Sequence, residues 1–270
     1  MSDLPNATDL AFFAAEAVPG LWLLWRLALS PAARRREPRD RLAPWAVSGA
    51  NFLVFLWLVI FCGIFVQAGV AELLKRSSID EDPKLILTGG AFHLGMLVGV
   101  LVFRWRIDQP QPAPPAAPTS PWLAGLVTFL IALPLVSAVS VLWQLGLDAV
   151  GLPNDEQELV GLFSSSQSPS FLALMTAFAV LVAPVTEELV FRFGIFRYAR
   201  GRLPHWAALL IPAILFGALH LNLASFAPLV MLGLVFSLAY ERTGHIGTSM
   251  VAHALFNLHT IGLILAGVGN

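Results

Sequence analysis

Apolar residues fill long stretches of this chain, near twenty at a time and without two-residue alternation, the pattern of lipid-embedded helices rather than strands. Eight candidate spans follow, at 10–30, 45–70, 86–104, 122–149, 171–197, 206–222, 225–241 and 246–267. The first contains Glu16 and Arg26, and Arg26 lies near its end, where the side chain can snorkel to the interface. Between the third and fourth spans, Ile107 to Pro121 is proline-rich and reads as a stiff extended linker. The expected organisation is a three-helix membrane region over 1–106, a linker over 107–121 and a five-helix membrane domain over 122–270.

Composition agrees with the pattern. Hydrophobic residues make up 57% of the 270 and charged residues 12%, about half the charged fraction of a soluble domain; mean hydropathy is +0.75. Inside a bilayer the backbone must satisfy its own hydrogen bonds, so the expected fold class is all-α, a polytopic membrane bundle of about eight transmembrane helices. A bacterial plasma membrane is the default setting, and nothing points to nucleic acid as a partner. Cys62 is the single cysteine and sits in an apolar run, which excludes an intrachain disulfide. Met1 to Asp9 is acidic, without the basic region of a signal peptide, so the first apolar run is expected to be retained.

The net charge of −1 says less than the placement of charge. Arg34, Arg35, Arg36, Arg39 and Arg41 follow span one; Arg104 and Arg106 follow span three; Arg197, Arg200 and Arg202 follow span five; and Arg242 follows span seven. All fall on one face, which places that face in the cytoplasm and both termini outside it. The opposite loops hold Lys75, Arg76 and Lys84, and 154–158 is acidic. Gly95 and Gly99 form a small-xxx-small pair in span three, read as helix packing within the fold. No internal repeat is evident, which weakens a transporter built from inverted halves.

Ionisable side chains at membrane depth cost roughly 2.5–3.5 kcal/mol each, so those in span five need a reason. Its centre reads Ala183-Pro184-Val185-Thr186-Glu187-Glu188-Leu189-Val190-Phe191-Arg192. Glu188 and Arg192 stand one turn apart in the favourable order for an ion pair. Glu187 is rotated about 100° from its neighbour and lacks that partner. A partly desolvated carboxylate with no cation beside it is suited to taking a proton from water. Pro184 removes one backbone donor and is expected to free the carbonyl of Val180, kinking the helix beside the carboxylates.

Two further spans carry matching polar groups, Phe216-x-x-x-His220 in span six and His253-x-x-x-Asn257 in span eight. Glu187 and His220 each lie about 25 Å along their helices from the turn near residue 203, so the hairpin brings them level. His253 and Asn257 reach the same layer if span eight packs alongside. A Glu, two His and an Asn supply a base, a partner that orients water and donors for an oxyanion, the parts of a peptide-hydrolysing site. His93, His205, His245 and His259 are set aside: His205 and His245 at interfacial turns, His259 facing away from the His253–Asn257 side, and His93 without polar companions in its span.

The ordered set Glu187-Glu188-x-x-x-Arg192, Phe216-x-x-x-His220 and His253-x-x-x-Asn257 resembles the three motifs of the CPBP family, which includes the type II CAAX prenyl proteases and bacteriocin-processing and immunity proteins. The resemblance covers about residues 122–267 with no departure inside the motifs, and residues 1–121 add nothing specific to it. It implies a glutamate-type intramembrane endopeptidase acting on a membrane-associated peptide or protein. Glu187 and His220 would activate water, His253 and Asn257 would form the oxyanion hole, and Glu188 and Arg192 would support them. No metal or other cofactor is favoured. Zinc is the sharpest competitor, held by two histidines and a glutamate, but the chain has no HExxH and Asn257 is a poor zinc ligand. The alternatives from other classes are a non-catalytic immunity or scaffold protein and a proton-coupled transporter.

Overall fold

Serine side chains set the starts of several of these helices. Ser48, Ser120 and Ser168 each accept a hydrogen bond from the backbone N–H three residues on, and Pro121 and Pro169 follow two of them, where proline's missing donor costs nothing. The computed structural model describes residues 7–35, 42, 45–108, 119–154, 158–165 and 168–267. Arg36, Arg39 and Arg41, most of the proline-rich linker, Asp155 and Glu156 lie outside the described residues.

The chain is a polytopic helical membrane protein. Among the described residues, six helices are long and apolar enough to cross a bilayer: α3 (Gly49–Leu74), α4 (Glu81–Arg106), α5 (Pro121–Val150), the rod Pro169–Arg200, α11 (Leu223–Thr243) and α12 (Ile246–Ala266). The N-terminal run forms α1 (Ala7–Leu24), continued by π-helical turns over Trp25–Leu29, and short helices α2 (Pro31–Arg34) and α6 (Glu158–Ser165) lie between the longer ones. The rod comprises α7 (Pro169–Ala177), α8 (Ala183–Glu188) and α9 (Arg197–Arg200), joined by π-helical turns at Phe178–Val182 and Leu189–Phe196. Outward faces are apolar, as Leu53, Trp57, Ile60, Phe61, Ile64 and Phe65 show along α3. Such a surface suits lipid rather than water.

The sixth apolar segment is shorter than its expected 206–222. Helix α10 (His205–Ala218) has 14 residues, about 21 Å, short of a hydrocarbon core of about 30 Å. Its end has a local cause. Leu221 takes a left-handed φ of 52°, and the Asn222 side chain accepts from the Ser225 N–H to start α11. His220 therefore sits on the turn just past the helix.

Gly95 and Gly99 pack within the fold, facing α3. A Cβ on Gly99 would stand 2.6 Å from the carbonyl oxygen of Leu58, so the two backbones meet with no side chain between them. The α3–α4 hairpin lies against the rod through Phe55, Val59, Val100, Phe103, Val190, Phe191 and Phe193. Helix α1 packs on α5, and Glu16 pairs with His259 of α12 at 2.5 Å. At the basic end, Trp45 donates to Asp108 at 3.0 Å, Arg202 donates to the carbonyls of Trp45 and Val47, and Glu241 receives both Arg200 and His205. That network ties the start of α3 and the ends of α4, α11 and the rod into one layer.

Candidate active site

The site begins with a departure from α-helical register. The Ala183 N–H bonds the carbonyl of Phe178, five residues back. In that register the next carbonyl, Ala179, would look to residue 184, and Pro184 has no N–H to give. Asn257 supplies the missing donor: its Nδ2 bonds the Ala179 carbonyl at 2.8 Å. The orphan expected at Val180 is thus moved one residue earlier by the wider π turn, and α12 is fastened to the rod there. One of the two Asn257 amide protons is occupied in this way.

One turn on, Glu188 and Arg192 form the expected ion pair, 2.9 Å apart. Their side chains are 0% and 1% exposed. A pair this deep needs further partners to offset its desolvation. Arg192 finds them in the rings of Phe216 and Phe236, whose centroids lie 4.5 and 5.4 Å from the guanidinium carbon. Glu188 finds one in His253, with Nδ1 3.0 Å from Oε1. A carboxylate paired with arginine can only accept, so His253 donates from Nδ1 and turns Nε2 the other way.

Glu187 stands on that other side. Its Oε2 is 3.7 Å from His253 Nε2, and its side chain is 16% exposed against 0% for its neighbour. The expectation that Glu187 lacks a partner holds along its own helix, but α12 brings a histidine between the two carboxylates. His220 is fixed differently. Its Nδ1 lies 2.7 Å from the Phe216 carbonyl and must donate to it, which leaves Nε2 as an acceptor. The Phe216 ring lies edge-on to both histidines, at 4.9 Å from His220 and 5.9 Å from His253, while its face meets Arg192. The phenylalanine of the second motif is therefore the hinge-pin of the arrangement, a role the sequence reading left unassigned.

Among the histidines set aside, His93 has a partner from outside its own span. It has no polar companion on α4, but the rod provides one: His93 Nδ1 lies 2.7 Å from Thr186 Oγ1. His93 is also within Coulombic reach of Glu187, His220 and His253. Nothing in its own span could have signalled this, because the companion is more than ninety positions away. His205 and His259 are likewise engaged, with Glu241 and Glu16, away from this cluster.

The assembled set holds a carboxylate with partial access, a buried carboxylate–arginine pair, a histidine between the carboxylates and a second histidine with a free acceptor nitrogen. Such a set can take a proton from water, hold it on imidazole and return it to a leaving group. Among the described residues, no three His, Cys, Asp or Glu side chains converge closely enough to hold a metal ion.

Residues 169–259 match the family described as type II CAAX prenyl endopeptidase Rce1-like. The chain is also 30% identical over 97 residues to a Bacillus subtilis (strain 168) protein named "Putative membrane peptidase YdiL". That match covers 36% of this chain and 40% of the relative, so the chain spans well under half of the relative's length. No solved structure matches. The matched segment encloses all three motifs and every residue of the assembled cluster except His93. Over residues 169–259 the chain is thus similar to the CPBP family of membrane proteins.

Proposed function

We propose that this protein is a glutamate-type intramembrane endopeptidase that hydrolyses a peptide bond in a membrane-associated protein or peptide. The observation that carries the reading is the meeting of the rod and α12 at one carboxylate–histidine–carboxylate contact. His253 lies there 3.0 Å from buried Glu188 through Nδ1 and 3.7 Å from Glu187 through Nε2. The match of residues 169–259 to a CAAX endopeptidase family adds the reaction class.

In the mechanism, Glu187 deprotonates a water that His220 Nε2 orients, and the water attacks the scissile carbonyl. His253 and the second amide proton of Asn257 donate to the developing oxyanion. Because Nδ1–H of His253 is bound to Glu188, a donor role for Nε2 requires the imidazolium, with Glu188 balancing its charge. The proton taken from water is then returned to the leaving amine. No metal enters this scheme.

The test uses the purified full chain in proteoliposomes with two quenched fluorogenic peptides, one ending in an S-farnesylated CAAX sequence and one of the same sequence without the lipid. Cleavage by the native protein that is lost in Glu187→Gln and retained in chelator supports the reading. Chelator-sensitive cleavage restored by zinc would overturn the metal-free mechanism, and undiminished cleavage by Glu187→Gln would overturn the base. Comparison of the two peptides decides whether the lipid contributes to recognition.

A further inference from the structure

The cluster has a contributor from outside the matched segment. His93 sits midway along α4, half-buried, with its ring edge-on to Phe178 at 5.2 Å in the first π-helical stretch of the rod. Its Nδ1 lies 2.7 Å from Thr186 Oγ1, and Thr186 is the residue before Glu187. The direction of that hydrogen bond follows from counting protons. Thr186 Oγ1 is 3.0 Å from the carbonyl oxygens of both Val182 and Ala183, which can only accept, so the one hydroxyl proton points at them. Oγ1 must then accept from His93, which fixes the Nδ1–H tautomer and leaves Nε2 bare. The threonine is 1% exposed, so the hydroxyl at the centre of this chain of hydrogen bonds is buried.

The place of the contact gives it a function. Between Phe178 and Phe196 the rod keeps α-helical register only over Ala183–Glu188, and Glu187 and Glu188 stand at the end of that short segment. Pro184 removes one of its backbone ties. Two outside groups hold the rod instead: Asn257 from α12 at Ala179, and His93 from α4 at Thr186. The titratable groups near His93 are Glu187 on the rod, His220 past α10 and His253 on α12. Arg192 and Glu188 are paired with each other behind them.

Resting on the peptidase reading above, we propose that His93 is a positioning residue of the active site. Its Nδ1–H holds Thr186, and through it the turn bearing Glu187, at the height where the carboxylate faces His253. The N-terminal hairpin thereby becomes part of the catalytic apparatus rather than a membrane anchor beside it. Asparagine can place an amide N–H where Nδ1–H stands, whereas phenylalanine keeps the ring's bulk and loses the donor.

The test compares His93→Asn, His93→Phe and Thr186→Val with the native full chain and with Glu187→Gln. The readouts are kcat and KM on the fluorogenic S-farnesylated CAAX peptide, and the Glu187 carboxyl band, isolated in infrared difference spectra against Glu187→Gln. His93→Phe is expected to lower kcat about 10- to 100-fold with KM within about twofold, and to shift the band. His93→Asn recovers most of the loss, and His93→Phe combined with Thr186→Val is no worse than either alone. A native-like kcat and an unmoved band in His93→Phe overturn the inference while leaving the peptidase reading intact. A loss in His93→Asn as large as in His93→Phe overturns the positioning role in favour of chemistry at Nε2. If the native chain cleaves no peptide but the band moves in His93→Phe and returns in His93→Asn, the peptidase reading fails and the positioning of Glu187 by His93 stands.

Discussion

The α3–α4 hairpin and the rod Pro169–Arg200 cross the same membrane and are built on opposite terms. In the hairpin every turn is regular α-helix, and Gly95 and Gly99 let the two backbones touch along a dry seam. The rod leaves α register twice and buries one carboxylate–arginine pair beside a second, partly accessible carboxylate. It borrows hydrogen bonds from its neighbours to do so. Regularity suffices where a helix only has to pack. A helix that must present chemistry at membrane depth gives up some of its own ladder, and the surrounding helices supply the missing partners.

The contrast can be broken from its strongest point downward. Glu187→Gln keeps the shape of the rod and removes the base, so turnover should fall about 1,000- to 10,000-fold while the protein purifies as folded; steady-state kinetics in proteoliposomes check this. Glu188→Ala leaves Arg192 charged between two phenylalanine rings, which should destabilise the fold by about 3–5 kcal/mol. Thermal aggregation in detergent measures that loss, and adding Arg192→Leu should restore part of it. Asn257→Ala removes both the tie to Ala179 and the remaining amide donor, with turnover expected about 100-fold lower. In a Pro184→Ala background residue 184 regains an N–H, so the stability cost of Asn257→Ala should shrink if the orphaned carbonyl is its cause. Gly95→Ala, in the hairpin, should cost about 1–3 kcal/mol by forcing the seam apart. Equal tolerance of Gly95→Ala and Glu188→Ala in the same melt would erase the distinction between the two regions.

Much of this was legible in the sequence. The apolar runs announced helices in lipid, the four-residue spacing of Glu188 and Arg192 announced their ion pair, and Gly95 and Gly99 announced a close helix contact. These are local signals, readable from spacing along one helix. What escaped was set by other parts of the chain. The π register that moves the orphaned carbonyl from Val180 to Ala179 depends on Asn257, and His93 finds Thr186 only because α4 lies beside the kink. Span six was read too long because Leu219 and Leu221 are as apolar as a helix interior, while the turn is imposed by Asn222 capping the next helix. The second motif's phenylalanine has no role readable from its own helix, and its contacts with Arg192, His220 and His253 emerge only once three helices are assembled.

Mass spectrometry of the membrane peptidome, in cells expressing the native chain or Glu187→Gln at equal levels, tests the central claim most directly. The account predicts peptides whose new termini appear only with the native protein, together with the intact precursor accumulating in the variant. Identical peptidomes from two equally abundant, folded proteins would contradict it.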